Sequence, residues 1–153
     1  MVVRLTPITG DDVVPLEKVT VHPEQDNFIA PNPVTIAQAR FAKGAYDFCI
    51  WNDDTRVGLI AILDLKEHGD LDDIDDPDAA YVWRLLIGKD YQGKGYGRAA
   101  MAFAEDWARK RGKPVVQIQA VETNAAAVGL YEALGYVKTG KRAGSEIQLE
   151  KRL

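Results

Sequence analysis

The chain has 153 residues, of which 46% are hydrophobic, and a formal net charge of −4. This length can bury one hydrophobic core but not two ordinary ones, so we predict a single domain over residues 1–153. No apolar run approaches the roughly 20 residues of a membrane helix, and no basic stripe of the kind that binds nucleic acid is present. The patterns therefore argue against a membrane span and against a nucleic-acid partner.

The cysteine and histidine content argues against a disulfide and a metal site. Cys49 is the single cysteine and lies in a strand-like run, which favours a buried structural thiol over a catalytic one. His22 and His68 lie in loop-like stretches and are too few for a histidine-rich metal site, so no metal is predicted. Residues 1–4 enter a strand-like alternation and do not resemble a signal peptide. We expect a reducing, cytoplasmic compartment.

Residues 2–8 alternate between apolar and polar side chains and predict an opening strand. Residues 13–21 predict a short helix, and the prolines within residues 22–33 predict a loop. Residues 33–43 predict a second helix, which Gly44 ends. Two further strands, residues 46–51 and 56–65, flank an Asn-Asp-Asp-Thr turn and form a hairpin.

The second half of the chain alternates strands with helices. The predicted elements are an acidic loop at 66–78, a strand at 80–87, a glycine-rich turn, a helix ending at Gly112, a strand at 115–121, a helix at 124–134, and strands at 136–138 and 146–149. Ala99, Ala100, Phe103, Ala104 and Trp107 mark the apolar face of the first of these helices. Hairpins combined with strand-helix-strand units predict an α/β protein with a mixed sheet flanked by helices.

The turn between strand 80–87 and the following helix has the features of an anion site. Its glycines at 93, 95 and 97 remove side chains that would keep a ligand from the helix start, and Lys94 and Arg98 add positive charge. A helix start exposes backbone N–H groups without partners and carries a partial positive charge. The turn is therefore suited to bind phosphate.

Three interpretations of the glycines compete. A dinucleotide-binding turn would need the spacing G-x-G-x-x-G, whereas the chain has G-x-G-x-G. A nucleotide-triphosphate loop fits residues 88–94 but needs a hydroxyl for magnesium where the chain has Gly95. A turn without any ligand is the third interpretation, but three glycines cost about 1 kcal/mol each in helix stability relative to alanine.

The turn also resembles a known motif, Q/R-x-x-G-x-G/A of the GNAT superfamily of N-acetyltransferases. A second segment, residues 124–136, is similar to the family's N-x-x-A-x-x-L-Y-x-x-L-G-F motif, with Tyr136 in place of the usual phenylalanine. The resemblance covers at least residues 57–136. It implies the GNAT fold, α/β (α+β), with a mixed central sheet of about six to seven strands flanked by about four helices.

The resemblance also implies the ligand and the residues that hold it. The cofactor would be acetyl-CoA, with the end of strand 80–87 binding the pantetheine arm and the glycine turn binding the pyrophosphate. The cofactor-binding residues would be Leu85, Leu86, Ile87, Gln92, Gly93, Lys94, Gly95, Tyr96, Gly97, Arg98 and Asn124.

Tyr131 matches the general-acid tyrosine of the family, and the alternative is a helix residue that only packs. In the family mechanism the amine attacks the thioester directly, so Cys49 is not required. Gln119 stands where many relatives have a glutamate base. A base acting through water is therefore sought elsewhere, with Glu24, Asp64 and Glu122 as candidates.

The acceptor amine is indicated by less specific features. Residues 66–78 contain seven acids and one lysine, which suits either a polyamine-binding surface or a solvated loop. Residues 23–32, with 83–87 and 91–95, resemble the bacterial diamine and spermine acetyltransferases of the Blt type. A polyamine such as spermine or spermidine is therefore the expected small-molecule substrate. Its candidate contacts are Glu24, Asp26, Phe28, Asp72, Asp73, Asp75 and Asp76.

Two alternatives stay open. One is a GNAT enzyme with another acceptor, namely an aminoglycoside, an amino acid or a protein N-terminus. The other is a non-catalytic acyl-CoA-binding module, against which Tyr131 and the intact glycine turn count. The family resemblance allows a homodimer, which the residues themselves neither support nor exclude.

Overall fold

A computed structural model of the protein describes residues 2–153 as a twisted seven-stranded sheet with helices on both faces. The strands are β1 (Val3–Pro7), β2 (Ala45–Asn52), β3 (Thr55–Asp64), β4 (Ala79–Ile87), β5 (Val115–Val121), β6 (Val137–Ala143) and β7 (Glu146–Arg152). Their order in the sheet is β1-β2-β3-β4-β5-β7-β6. Neighbouring strands are antiparallel except β4 and β5, which are parallel.

Helices and short 3-10 turns connect the strands. The helices are α1 (Val13–Glu17), α2 (Asn32–Phe41), α3 (Leu65–His68), α4 (Tyr96–Lys110) and α5 (Ala125–Ala133), with short 3-10 turns at Gly10–Asp12, Pro23–Gln25 and Lys89–Tyr91. The helix α4 is the crossover between the parallel strands β4 and β5, as a parallel pair needs. Within residues 2–153 no helix is both long and apolar enough to cross a membrane.

Successive side chains of each strand point to opposite faces of the sheet, so the core is divided between the two faces. On one face, α4 and α5 cover a large apolar cluster that includes Ile60, Val82 and Met101. On the other face, α1 and α2 cover a smaller cluster with Cys49 and Leu59 at its centre. The central strands are buried on both sides, which explains why residues 57–65 form a nearly continuous apolar run.

The parallel strands β4 and β5 separate before they end. Their pairing covers only residues 79–82 of β4 with 115–118 of β5, although the strands continue to Ile87 and Val121. Beyond that point the side of β4 that faces β5 has no strand partner. This opening in the middle of the sheet lies directly before the glycine turn, and it positions the functional site described below.

The fold predicted from the sequence is confirmed, with seven strands and the expected helices. The predicted helix 13–21 is shorter, ending at Glu17, because the following Val-Thr-Val stretch is β-branched and turns away after two short-range hydrogen bonds. The single-turn helix α3 was not predicted; Asp64 caps it by accepting a hydrogen bond from the Glu67 N–H at 3.2 Å. Met1, part of the expectation about the N-terminus, lies outside the described residues.

Cys49 is fully buried and reduced, as expected of a structural thiol. Desolvation by burial raises its pKa to about 12, so the sulfur stays protonated at neutral pH and is a poor nucleophile. Among residues 2–153 no group of three or more histidine, cysteine or acidic side chains is arranged to hold a metal ion.

Candidate active site

The glycine turn adopts a conformation that needs glycine at two positions. Gly93 has a φ of 74° and Gly95, the residue that precedes α4, has a φ of 90°. Both values lie in the left-handed region, which side chains disfavour. Gly97 has a different role, since a Cβ there would come within 3.2 Å of the Leu130 side chain, which would have to shift by a few tenths of an ångström.

The start of α4 presents free backbone donors. The first hydrogen bond of the helix runs from the Ala99 N–H to the Gly95 carbonyl at 3.0 Å, so the N–H groups of residues 96–98 have no acceptor within the described chain. Lys94 and Arg98 are exposed beside them. The Tyr96 side chain, in contrast, is only 4% exposed and packs in the core. Bare N–H groups with two flanking cations fit a pyrophosphate.

Two cavities meet at the opening between β4 and β5. The cavity on the glycine-turn side has a volume of about 450 Å³, and the other, on the side of the loop at residues 21–31, about 730 Å³. The residues that line both are Gln25, Leu85, Ile87, Gln92, Asn124, Ala127 and Tyr131. We call the smaller one the cofactor cavity and the larger one the acceptor cavity. A group transferred between two ligands would have to pass at this shared wall.

Tyr131 lies on α5 at the shared wall. Its residue is only 6% exposed, and its hydroxyl makes no hydrogen bond to the described part of the chain. Desolvation by burial raises the pKa of Tyr131 well above its ordinary value, so the phenol keeps its proton at neutral pH. Asn124 caps the same helix by accepting a hydrogen bond from the Ala127 N–H at 3.3 Å. A protonated, unpartnered hydroxyl in this position is suited to donate a proton.

Gln92 is engaged by the protein itself. Its amide nitrogen donates to the Ile87 carbonyl at 3.0 Å and to the Gln25 side-chain oxygen at 3.0 Å, and its amide oxygen accepts from the Gln25 amide nitrogen at 3.2 Å. This pair of amides joins the glycine turn to the loop that walls the acceptor cavity. Gln92 was predicted as a cofactor ligand, and the structure places its side chain between the turn and the loop.

The acceptor cavity contains some of the predicted substrate residues and two charged residues that sequence reasoning missed. Asp26 and Phe28 line it, whereas Glu24 does not. Arg84, on β4, and Glu146, at the start of β7, complete its charged lining. No local motif marks either residue, because only the pairing of distant strands brings them to the cavity.

The acidic loop lies beside the acceptor cavity and does not line it. The Asp76 N–H donates to the Gln117 side chain at 3.2 Å, and the Gln148 side chain donates to the Ile74 carbonyl at 2.8 Å. Both anchors are two residues, about 7 Å, along their strands from cavity residues Gln119 and Glu146. Asp75 and Asp76 line a separate cavity of about 370 Å³. The predicted contacts from Asp72, Asp73, Asp75 and Asp76 are therefore outside the cavity wall.

Two of the three candidate bases are held in ion pairs and do not line the acceptor cavity. Asp64 contacts Lys113 at 2.6 Å and Arg111 at 3.2 Å, and together these bonds lower its pKa despite desolvation, which acts in the opposite direction. Glu122 pairs with Arg142 at 2.8 Å on the surface. Asp64 lines neither cavity and its carboxylate is paired with two cations, which makes it a poor candidate for the base. Of the lining residues, the carboxylates are Asp26 and Glu146.

Comparisons with known proteins agree with this geometry. Residues 9–136 match the model of the acetyltransferase (GNAT) family. The GNAT domain of PAT from S. lividans superimposes with a TM-score of 0.79 at 20% identity, over 99% of this chain and 90% of that one. The PaiA N-acetyltransferase of Thermoplasma acidophilum, solved with coenzyme A, superimposes with a TM-score of 0.73 at 16% identity over 100% of both chains.

Curated relatives match only part of the chain. The ribosomal protein bS18-alanine N-acetyltransferase of Escherichia coli K12 is 37% identical over 59 residues, which are 39% of this chain and 40% of that protein. The chain thus spans less than half the length of this curated relative. These comparisons do not show the resemblance of this chain to the Blt-type polyamine enzymes, which stays a prediction. The family match itself extends over most of the chain, and the protein therefore belongs to the GNAT family of acetyltransferases.

Proposed function

We propose that the protein is an acetyl-CoA-dependent N-acetyltransferase that acetylates a primary amine. The observation that carries the proposal is the position of Tyr131 on the wall shared by a cofactor cavity and an acceptor cavity. Acetyl-CoA would supply an activated acetyl group on a thioester. The free N–H groups at the start of α4, with Lys94 and Arg98, would bind its pyrophosphate.

Residues of the chain would assist two proton transfers, one to the departing sulfur and one from the acceptor amine. The neutral amine nitrogen would bond to the thioester carbonyl carbon, the carbon–sulfur bond would break, and the departing sulfur would take the proton of the Tyr131 hydroxyl, which the proton released by the acylated nitrogen would replace. A backbone N–H on the unpaired side of β4, within residues 85–87, would stabilise the negative charge on the carbonyl oxygen. The amine loses its own proton to water near Asp26 or Glu146, which are the carboxylates lining the acceptor cavity.

The test is thiol release from acetyl-CoA with a panel of acceptors: spermine, spermidine, propylamine, an aminoglycoside, an amino acid and a short peptide. Turnover with at least one amine supports the proposal. Tight binding of coenzyme A without thiol release from any of these amines would contradict it and favour a non-catalytic acyl-CoA-binding module.

A polyamine is a specific candidate for the acceptor. Two carboxylates, Asp26 and Glu146, line the cavity, and the acidic loop borders it, so the local potential attracts cations. On this hypothesis spermine would have a lower KM than propylamine, and the advantage would shrink at high salt because exposed charges are screened.

A further inference from the structure

Arg84 is the one positively charged residue among those that line the acceptor cavity. A site built for a polycation alone would gain nothing from a fixed positive charge, because like charges repel one another in the cavity. The arginine therefore points to a second group on the acceptor, with the opposite polarity to the amine.

The guanidinium of Arg84 has unused hydrogen-bond donors. It carries five N–H donors, of which Nη2 donates to the Gln38 side chain at 3.2 Å and Nη1 to the Trp83 carbonyl at 3.3 Å. Its Nε is buried and has no partner in the structure, and Arg84 forms no ion pair within residues 2–153. A half-buried cation with unmet donors is costly unless an oxygen ligand satisfies it. The remaining donors are therefore free for an acceptor molecule.

The Arg84 side chain is held in place without such a ligand. Its guanidinium stacks on the Trp83 ring, with 4.5 Å between the guanidinium carbon and the ring centroid. Burial lowers the pKa of Arg84, an effect that Tyr81 and then Glu146 partly offset. Glu146 lines the same cavity as Arg84, and the two groups are not within ion-pair distance. A ligand between them would meet a cation on one side and a carboxylate on the other.

The backbone of Arg84 adjoins the wall where transfer would occur. Arg84 lines the acceptor cavity and is bonded to Leu85, which lines both cavities, as does Tyr131. An oxygen bound by Arg84 and an amine at this wall would belong to a compact molecule that carries the two groups close together. An α-amine has this arrangement, because its carbonyl or carboxylate is attached to the carbon that bears the nitrogen.

Building on the N-acetyltransferase function, we propose that the acceptor is an α-amine whose neighbouring oxygen binds Arg84 while its nitrogen faces Glu146. A free amino acid and the amino terminus of a peptide share this chemistry. They differ in the oxygen, which is a charged carboxylate in the amino acid and a neutral carbonyl in the peptide. Arg84 is thereby a specificity-determining residue.

The test compares matched amines on the wild-type protein and on Arg84→Met, which keeps the apolar stem over Trp83 and removes every donor. The acceptors are alanine, a short peptide with a free α-amine, and isopropylamine, which has the same branching without the oxygen. We expect Arg84→Met to lower kcat/KM for an α-amine by about 10- to 100-fold, as for loss of a charged hydrogen bond, and to change isopropylamine less than twofold. Arg109→Met, on the exposed face of α4, is the matched control.

Each acceptor decides a different part of the proposal. If Arg84→Met lowers kcat/KM strongly for alanine and not for the peptide, the site binds free amino acids. If it lowers kcat/KM for the peptide and not for alanine, the site binds amino termini. Equal kcat/KM for α-amines in wild type and Arg84→Met would overturn the proposal, as would wild-type activity confined to spermine. Arg84→Lys, which keeps the charge without the planar fork, should restore part of the activity toward the carboxylate.

A binding measurement separates this proposal from the catalytic one. The N-acetylated amino acid and the N-acetylated peptide are titrated into protein saturated with coenzyme A, and their dissociation constants are measured by calorimetry. Weaker binding to Arg84→Met by about tenfold supports the site even if no thiol release is seen. Identical affinities in the two proteins would reject the role of Arg84 while leaving the transferase function intact.

Discussion

The cofactor cavity and the acceptor cavity share a wall, but their residues come from very different distances along the chain. The glycine turn and the start of α4 are consecutive, and their ligand groups are backbone N–H donors. The charged residues of the acceptor cavity are single side chains, Asp26 from the loop before α2, Arg84 from β4 and Glu146 from β7. One half therefore depends on local backbone geometry, and the other depends on tertiary packing.

This difference indicates which half of the site can change its ligand specificity through single substitutions. A backbone site tolerates substitution at exposed neighbours as long as the glycines are kept, since the N–H groups remain. A site of single side chains changes its ligand with one substitution. Variants of the two halves should therefore have separable effects on acetyl-CoA and on the amine, and Tyr131, which belongs to both halves, should affect turnover itself.

The largest expected effect is that of Tyr131→Phe. Removing the hydroxyl should lower kcat by about 10²- to 10⁴-fold, the range for loss of a general acid, with the affinity for coenzyme A changed less than twofold. Thiol release and calorimetry measure the two quantities. Tyr46→Phe, which removes a hydroxyl from a tyrosine that lines neither cavity, is the control. Full turnover of Tyr131→Phe would show that this tyrosine only packs.

The pH dependence should be set by the amine and not by Tyr131. Because burial raises the pKa of Tyr131, the phenol stays protonated, and therefore active as an acid, beyond pH 10. For the amino terminus of a peptide, whose ammonium pKa is about 8, kcat/KM should rise about tenfold per pH unit below that value and then stay level to pH 10. For alkyl amines, whose ammonium pKa is higher, kcat/KM should still be rising between pH 8 and 10. A decline between pH 8 and 10 in the wild type would contradict the raised pKa.

Gly93→Ala should weaken the binding of acetyl-CoA and leave the binding of the amine unchanged. Gly93 and Gly112 both have a positive φ, 74° and 71°, and a Cβ at either would meet no atom within 4 Å. Alanine at either position should lower the melting temperature to a similar degree through about 1–2 kcal/mol of backbone strain. Only Gly93→Ala should also raise the KM for acetyl-CoA, by about tenfold, because Gly112 is remote from the turn.

An equal rise in that KM for Gly112→Ala would show that the effect is general destabilisation. The amine KM of Gly93→Ala should stay within twofold of the wild type. A coupled change in both Michaelis constants would weaken the distinction between the halves.

Gln25→Ala tests a direct side-chain link between the halves. Its amide pairs with Gln92 and also accepts from the His22 N–H at 3.1 Å, so its loss should loosen the loop that carries Asp26 and Phe28. We expect the amine KM to rise about 2- to 10-fold, as for loss of one or two neutral hydrogen bonds, with the acetyl-CoA KM nearly unchanged. A larger effect on acetyl-CoA would mean that the pair mainly holds the glycine turn.

The smallest effect should come from the acidic loop. Neutralising Asp72 and Asp73 together should change the spermine KM less than twofold at 0.15 M salt, since both are exposed, lie outside the cavity wall and are screened. Steady-state kinetics at two salt concentrations measure this. A several-fold rise in the spermine KM would restore the loop as a polyamine-binding surface.

The same contrast explains what sequence reasoning could predict. The hairpin of β2 and β3, the long helix that follows the glycine turn and the turn itself follow from patterns within a few residues, and the structure has them close to the predicted positions. Arg84 and Glu146 could not be found in this way, because their proximity depends on the separation of β4 from β5 and on the register of β7 with β5. The ion pairs of Asp64 could not be found in this way either, since its cationic partners lie just beyond α4.

The separation of β4 from β5 has a consequence for stability. Only four residues of each strand pair, which leaves the last five residues of β4 without a neighbour on that side. An extended pantetheine arm inserted there would act as an additional strand of the sheet and would complete it. Ligand binding would then contribute to folding by mass action, about 2.7 kcal/mol at a ligand concentration 100 times the dissociation constant. On the proposed function, the sheet of the free protein lacks a neighbour along the end of β4, and the bound cosubstrate would supply it.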